Sequence, residues 1–179
     1  ENIAMYLIDF SHKIRWLDPL SSAKVYSDGR RHNSFIRMLK KQRVQLSNQL
    51  EKLLYQEFSP LLCYCRHGIP GWLLLLLEKY PTMAAIKKAG VTKMIKIKGI
   101  TEDKAVAVIK KINAVHSATS SHIGAVIKST AKQISLVEAS IKTEKSGLIK
   151  RFKETQDVQL LTSICGLGEQ SAIEILIEI

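Results

Sequence analysis

Proline and glycine are scarce, four and nine among 179 residues, so the chain holds neither a collagen-like repeat nor a proline-rich tract. Three cysteines are too few for a disulfide framework and suit a reducing compartment. Cys63 and Cys65 stand one residue apart with His67 close behind, but a zinc finger or ribbon wants two to four residues between its cysteines and a fourth ligand. No metal site is expected there. Long apolar runs are also missing: the densest, Ile69 to Leu77, closes at Glu78 and Lys79 and is about half a bilayer crossing. It reads as a buried helix, and no membrane association is expected. No signal peptide is expected, because the sequence opens on Glu1-Asn2 and runs directly into Ile3, Ala4, Leu7 and Ile8 without a basic n-region. With a second apolar pattern running out at Ile179, the chain is expected to be an excerpt of a longer protein.

Acidic residues are the minority. There are 16 against 27 lysines and arginines, giving a formal charge of +11, which makes a polyanion or an anionic membrane surface the natural extended partner. The 46% apolar and 24% charged content is that of a folded chain. The charge is unevenly spread: residues 81–112 carry 8 basic and 2 acidic side chains, and residues 113–153 carry 7 and 2. Residues 154–179 carry none and 5. The middle of the chain is therefore the part suited to face a polyanion, and any phosphate contact near the C-terminus has to come from backbone amides.

Helical periodicity dominates from residue 33 onward and strand alternation is not evident, which predicts a mainly α fold of long coiled-coil-like helices plus a helical domain ending in a helix-hairpin-helix-like element. Residues 3–10 read as a short helix, followed by an irregular basic stretch with turn formers at Asp18-Pro19 and Asp28-Gly29. Asn33 or Ser34 is expected to cap a helix reaching about Phe58, where Pro60 ends it. Within it Leu39, Leu46 and Leu53 recur every seven residues with Gln42, Gln49 and Gln56 three positions after each, a water-tolerant seam for a dimer arm or for a helix returning on its own domain. A leucine-rich helix over 72–79 and a short helix over 82–88 stopped by Gly90 come next. The stretch 121–152 repeats Ile127, Ile134, Ile141 and Leu148 and predicts a helix roughly 45 Å long. The expected organisation is 1–32 as the end of one domain with its linker, 33–70 as a coiled-coil-like insertion, and 71–179 as a partial helical domain.

Two segments have the shape of two helices joined by a glycine turn, near 94–105 and 160–176. In the second, Gly166 and Gly168 flank the apolar anchor Leu167, and Ala172 lets two helices approach closely. Such glycines allow a sharp turn that leaves amides and a helix N-terminus pointing outward at a phosphate oxygen, gripping a nucleic-acid backbone without reading bases. In the first, Gly99-Ile100-Thr101 replaces the double-glycine turn, but Lys93, Lys96, Lys98 and Lys104 surround it. These seven residues are the candidate nucleic-acid contacts, and Leu39, Leu46 and Leu53 the candidate self-association seam.

Catalytic constellations are sparse. His12, His32, His67, His116 and His122 lack partners at helical spacing, and Asp9 with Asp18 or Glu102 with Asp103 lack the third carboxylate that two-metal nuclease chemistry requires.

The order of motifs carries a resemblance. Glu1 to Leu7, Arg37 to Leu46, Leu77 to Thr82 and Leu161 to Ala172 together resemble the insertion-sequence transposases that have a RuvC-like four-carboxylate N-terminal domain, a second domain carrying a serine, and a structured bridge RNA as guide. That family usually reads Ser-Ile-Pro-Gly-Ile-Gly in the last motif. Here Cys165 takes the proline position and Leu167 the isoleucine position, and both glycines remain. The resemblance implies DNA transposition by an enzyme using Mg²⁺-bound carboxylates and a serine, acting on DNA with a structured guide RNA, in the prokaryotic cytoplasm and at the nucleoid when bound to DNA. It also implies that the carboxylates lie upstream of residue 1 and the serine beyond residue 179. No catalytic residue or cofactor is therefore carried onto these positions, and Ser163 and Ser171 are hairpin residues. The chain would supply DNA binding and self-association. The alternative is a non-catalytic all-helical module that binds nucleic acid or other proteins.

Overall fold

The computed structural model describes residues 19–114 and 120–178. The expected helix over 3–10 and the candidate histidines His12 and His116 lie outside them. The fold is mainly α: among the described residues there are seven α-helices and one 3-10 helix. They are α1 (Pro19–Glu57), the 3-10 helix (Ser59–Tyr64), α2 (Gly71–Lys79), α3 (Met83–Met94), α4 (Glu102–Asn113), α5 (Ser121–Phe152), α6 (Gln156–Thr162) and α7 (Glu169–Glu178).

The expected start of the first long helix at Asn33 or Ser34 is corrected. Helix α1 begins at Pro19, where the fixed φ of proline suits a first turn and its missing N–H has no intrahelical acceptor to lose. Asp28-Gly29 is not a turn but helix interior. A Cβ on Gly29 would sit 2.7 Å from Phe152 Cζ and 2.9 Å from Ile177 Cγ2, so glycine there serves a close approach of packed elements. Asn33 is not a cap either: it is buried, and its side-chain amide donates to Glu178 Oε1 at 3.4 Å. Tertiary contacts override the local turn and cap preferences of these residues.

The chain gathers into two compact units, one formed by residues up to Ile36 together with those from Glu144, the other by Arg37–Thr143. The expected boundary at 32/33 falls inside α1, and the expected 71–179 segment contributes to both units.

In the larger unit, Leu50, Leu54 and Phe58 present one fully buried face at helical spacing. They join Leu73, Leu74, Leu76 and Leu77 of α2, Met83 and Ile86 of α3, Ala105, Val108 and Ile112 of α4, and Ile127 and Ile134 of α5. Leu46 and Leu53 pack partly buried against this core, Leu39 is buried, and Gln42, Gln49 and Gln56 are exposed. Helix α3 is capped by Thr82, whose Oγ1 accepts from the Ala85 N–H, and Gly90, at φ 65° and ψ 178°, breaks it before a last turn to Met94. Helix α4 places Glu102 and Asp103 in its first turn and Lys110 and Lys111 in its last, each sign favoured by the helix dipole.

The smaller unit is built around Ile36, Leu148, Phe152, Val158, Ala172, Ile173 and Ile177. Phe152 stacks on Tyr26 with ring centroids 6.1 Å apart. The Tyr26 hydroxyl donates to Asp157 Oδ2 at 2.6 Å; burial first, then this bond and the carboxylate charge, push its pKa up to about 12. Arg30 Nε donates to the Ile177 carbonyl, satisfying an acceptor at the end of α7.

Candidate nucleic-acid interface

The two glycine turns, one in each unit, have the same local geometry. In the larger unit Ile97 N–H donates to Met94 O and Ile100 N–H to Ile97 O, Gly99 sits at φ 88°, and Ala105 N–H donates to Thr101 O as α4 begins. In the smaller unit Ile164 N–H donates to Leu161 O and Leu167 N–H to Ile164 O, Gly166 sits at φ 89°, and Ala172 N–H donates to Gly168 O as α7 begins. Ile97 and Ile164, Gly99 and Gly166, Glu102 and Glu169, and Ala105 and Ala172 thus occupy matching places. Both alanines are fully buried. Positive φ makes glycine the fitting residue at the third turn position, whereas Gly168, with no such φ, is replaced in the other hairpin by the capping residue Thr101.

What differs is the surrounding chemistry. Lys93, Lys96 and Lys98 are exposed around the first turn. Lys104 is committed inward: its ammonium donates to Gly99 O at 3.0 Å and lies 5.2 Å from the centre of the Trp72 ring. It braces the turn that the other three lysines flank. Trp72 meets Tyr64 edge to face at 5.3 Å, and Lys111 approaches Tyr64 at 6.0 Å. The sequence reading missed this aromatic floor. The signal available was only that Trp72 follows Gly71 at the start of a leucine-rich helix.

Beside the second turn the Lys153 ammonium pairs with Glu169 Oε1 at 3.2 Å. Gly166 and Gly168 are open, with nothing within 4 Å of an added Cβ. The Leu167 amide is spent inside the turn, which leaves the first-turn amides of α7 as the outward donors. Burial also differs: Ile97 and Ile100 are 7% and 6% exposed, whereas Ile164 is 56% exposed and Leu167 is half-buried.

No protein-family model, curated protein or solved structure matches this chain.

The geometry of the two turns is therefore the firmest guide to what the chain does. Among the described residues no group of three or more His, Cys, Asp or Glu side chains is placed to hold a metal ion. The Mg²⁺ that the transposase resemblance implies finds no fitting ligand set among the described residues. No helix among the described residues is long and apolar enough to cross a membrane.

The cysteines separate by environment. Cys63 and Cys165 are exposed, whereas burial, followed by the charges of Glu51 and Cys63, pushes the Cys65 thiol up to about 11. At about pH 8 its thiolate fraction falls roughly a hundredfold below that of an ordinary thiol. Timed alkylation with mass-spectrometric mapping should modify Cys65 slower than a model thiol by about that factor. Equal rates at all three cysteines would show that Cys65 is not shielded.

Proposed function

We propose that this chain binds a nucleic-acid backbone through the hairpin over 94–105, as part of a DNA transposase of the insertion-sequence type it resembles. The single observation that carries the reading is a glycine turn of matched geometry in two places, one of them flanked by Lys93, Lys96 and Lys98. The start of α4 supplies outward amides and these lysines supply positive charge, so contacts fall on phosphates and are indifferent to sequence. Gly166, Leu167 and Gly168 have the backbone form for a second contact without the lysines, and their contribution is the smaller one. DNA is the main partner, with a structured guide RNA bound by the same charges. In this reading the chain does not cut DNA by itself, because the family's carboxylates and serine fall outside these residues.

The logarithm of duplex affinity should fall linearly with the logarithm of salt concentration, at a slope of about 0.9 per phosphate contacted. Fluorescence anisotropy from low to moderate NaCl checks this. A flat titration, or no binding at low salt, would overturn the reading in favour of a purely protein-binding helical module.

A further inference from the structure

We propose that the C-terminal hairpin of one copy docks into a basic apolar groove on the larger unit of a second copy, so that the chain self-associates head to tail. This goes beyond the nucleic-acid reading and does not rest on it. The hairpin is an apolar tip on an acidic stalk. Leu160 and Ile164, four residues apart where α6 gives way to the turn, are 64% and 56% exposed; residues 154–179 carry five acidic and no basic side chains, and with Glu169 neutralised by Lys153 the segment still keeps a net negative charge. In the matching hairpin the equivalent isoleucine, Ile97, is packed into a core. The same turn is thus finished by burial in one place and left uncovered in the other.

The groove has the opposite chemistry. Helix α2, the turn over 96–99 and α5 enclose two adjoining depressions of about 440 and 520 Å³ that share Leu75 and Lys98. Leu75 is 40% exposed on the floor, with Trp72, Leu74 and Ala139 beside it. Lys79, Lys96, Lys98 and Lys142 stand around them against two carboxylates. Both carboxylates have partners within the unit: Glu78 accepts from Ser135 Oγ, and Glu138 pairs with Arg43 at 3.4 Å. The lysines are left to face an incoming acidic surface. An apolar floor suits a leucine or isoleucine side chain and offers little to a phosphate chain, so the acidic hairpin is the occupant of the floor, while Lys96 and Lys98 on its rim are the same lysines proposed to meet phosphates and the two ligands compete there. Because the two surfaces are different patches of one chain, the contact is heterologous and each copy retains a free groove or a free hairpin.

Complementation in solution tests this. A tip variant, Leu160→Asp with Ile164→Asp, loses the hairpin; a groove variant, Leu75→Asp with Lys142→Glu, loses the groove. Sedimentation of the full chain should show mass rising with concentration, each variant alone staying monomeric, and an equimolar mixture forming a one-to-one pair through the single intact interface. A wild-type chain that stays monomeric at high micromolar concentration, a variant that associates as well as wild type, or a mixture of folded variants that does not pair would each overturn the proposal. Should an apolar-to-aspartate variant lose its helical circular dichroism, the charge-only pair Lys79→Glu with Lys142→Glu against Glu154→Lys with Glu169→Lys serves in its place. There, loss of association with each alone and recovery on mixing the two supports the docking, and unchanged association in each overturns it. Duplex binding by the same variants reads the lysines of the 94–105 turn separately, so failure of one idea is distinguishable from failure of the other.

Discussion

Phe152→Ala should cost the smaller unit about 3–5 kcal/mol, the range for emptying a fully buried phenylalanine site. The ring is completely buried, fills the notch opposite Gly29, and stacks on Tyr26. Among the described residues its core has seven buried side chains, against nineteen in the larger unit, so few neighbours can close over the void. Gly29 cannot help, because it contributes no side chain to collapse inward. Hydrogen exchange resolves the effect by segment: amides over 26–36 and 156–178 should lose protection while those over 73–112 keep theirs. Loss spread evenly over both sets, or no loss, would mean that Phe152 does not hold the unit in the way its burial indicates.

Helix α4 was read only as the second arm of a glycine turn near 94–105, although the sequence carries its signals: Thr101 as cap, acids first, bases last, and Ala105, Val108 and Ile112 at the spacing of one buried face. The glycine turns were legible, because Gly99 and Gly166 answer to a local backbone demand. Helix α1 was misread because its glycine and asparagine answer to partners more than a hundred residues downstream, Phe152 and Ile177 for Gly29 and Glu178 for Asn33. No window along the chain contains both sides of those contacts. For the same reason Ile97 and Ile164, identical residues in matching turns, could not be told apart as buried and exposed. Lys104 looked like its three lysine neighbours until its ammonium was found on Gly99 O and over Trp72.

Reversing Lys93, Lys96 and Lys98 together to Glu should weaken duplex binding roughly a hundredfold or more and flatten the salt slope by about three. The three ammonium groups are exposed beside the start of α4, where the outward amides favour an anion. Three carboxylates there would leave those amides facing a repelled phosphate, joining Glu102 and Asp103 already in the first turn. Net charge alone does not produce the result. Reversal of Lys41, Lys52 and Lys128, exposed residues of α1 and α5, changes the total charge equally. That control should lower affinity only through the weaker long-range field, which salt screens within about 10 Å. The triple reversal should also leave the fold intact, because Lys104, which braces the turn from within, is untouched. Equal losses in the two triples would assign binding to the overall charge of the chain and remove the turn from the account. A loss confined to the first would place the phosphate contact at the hairpin.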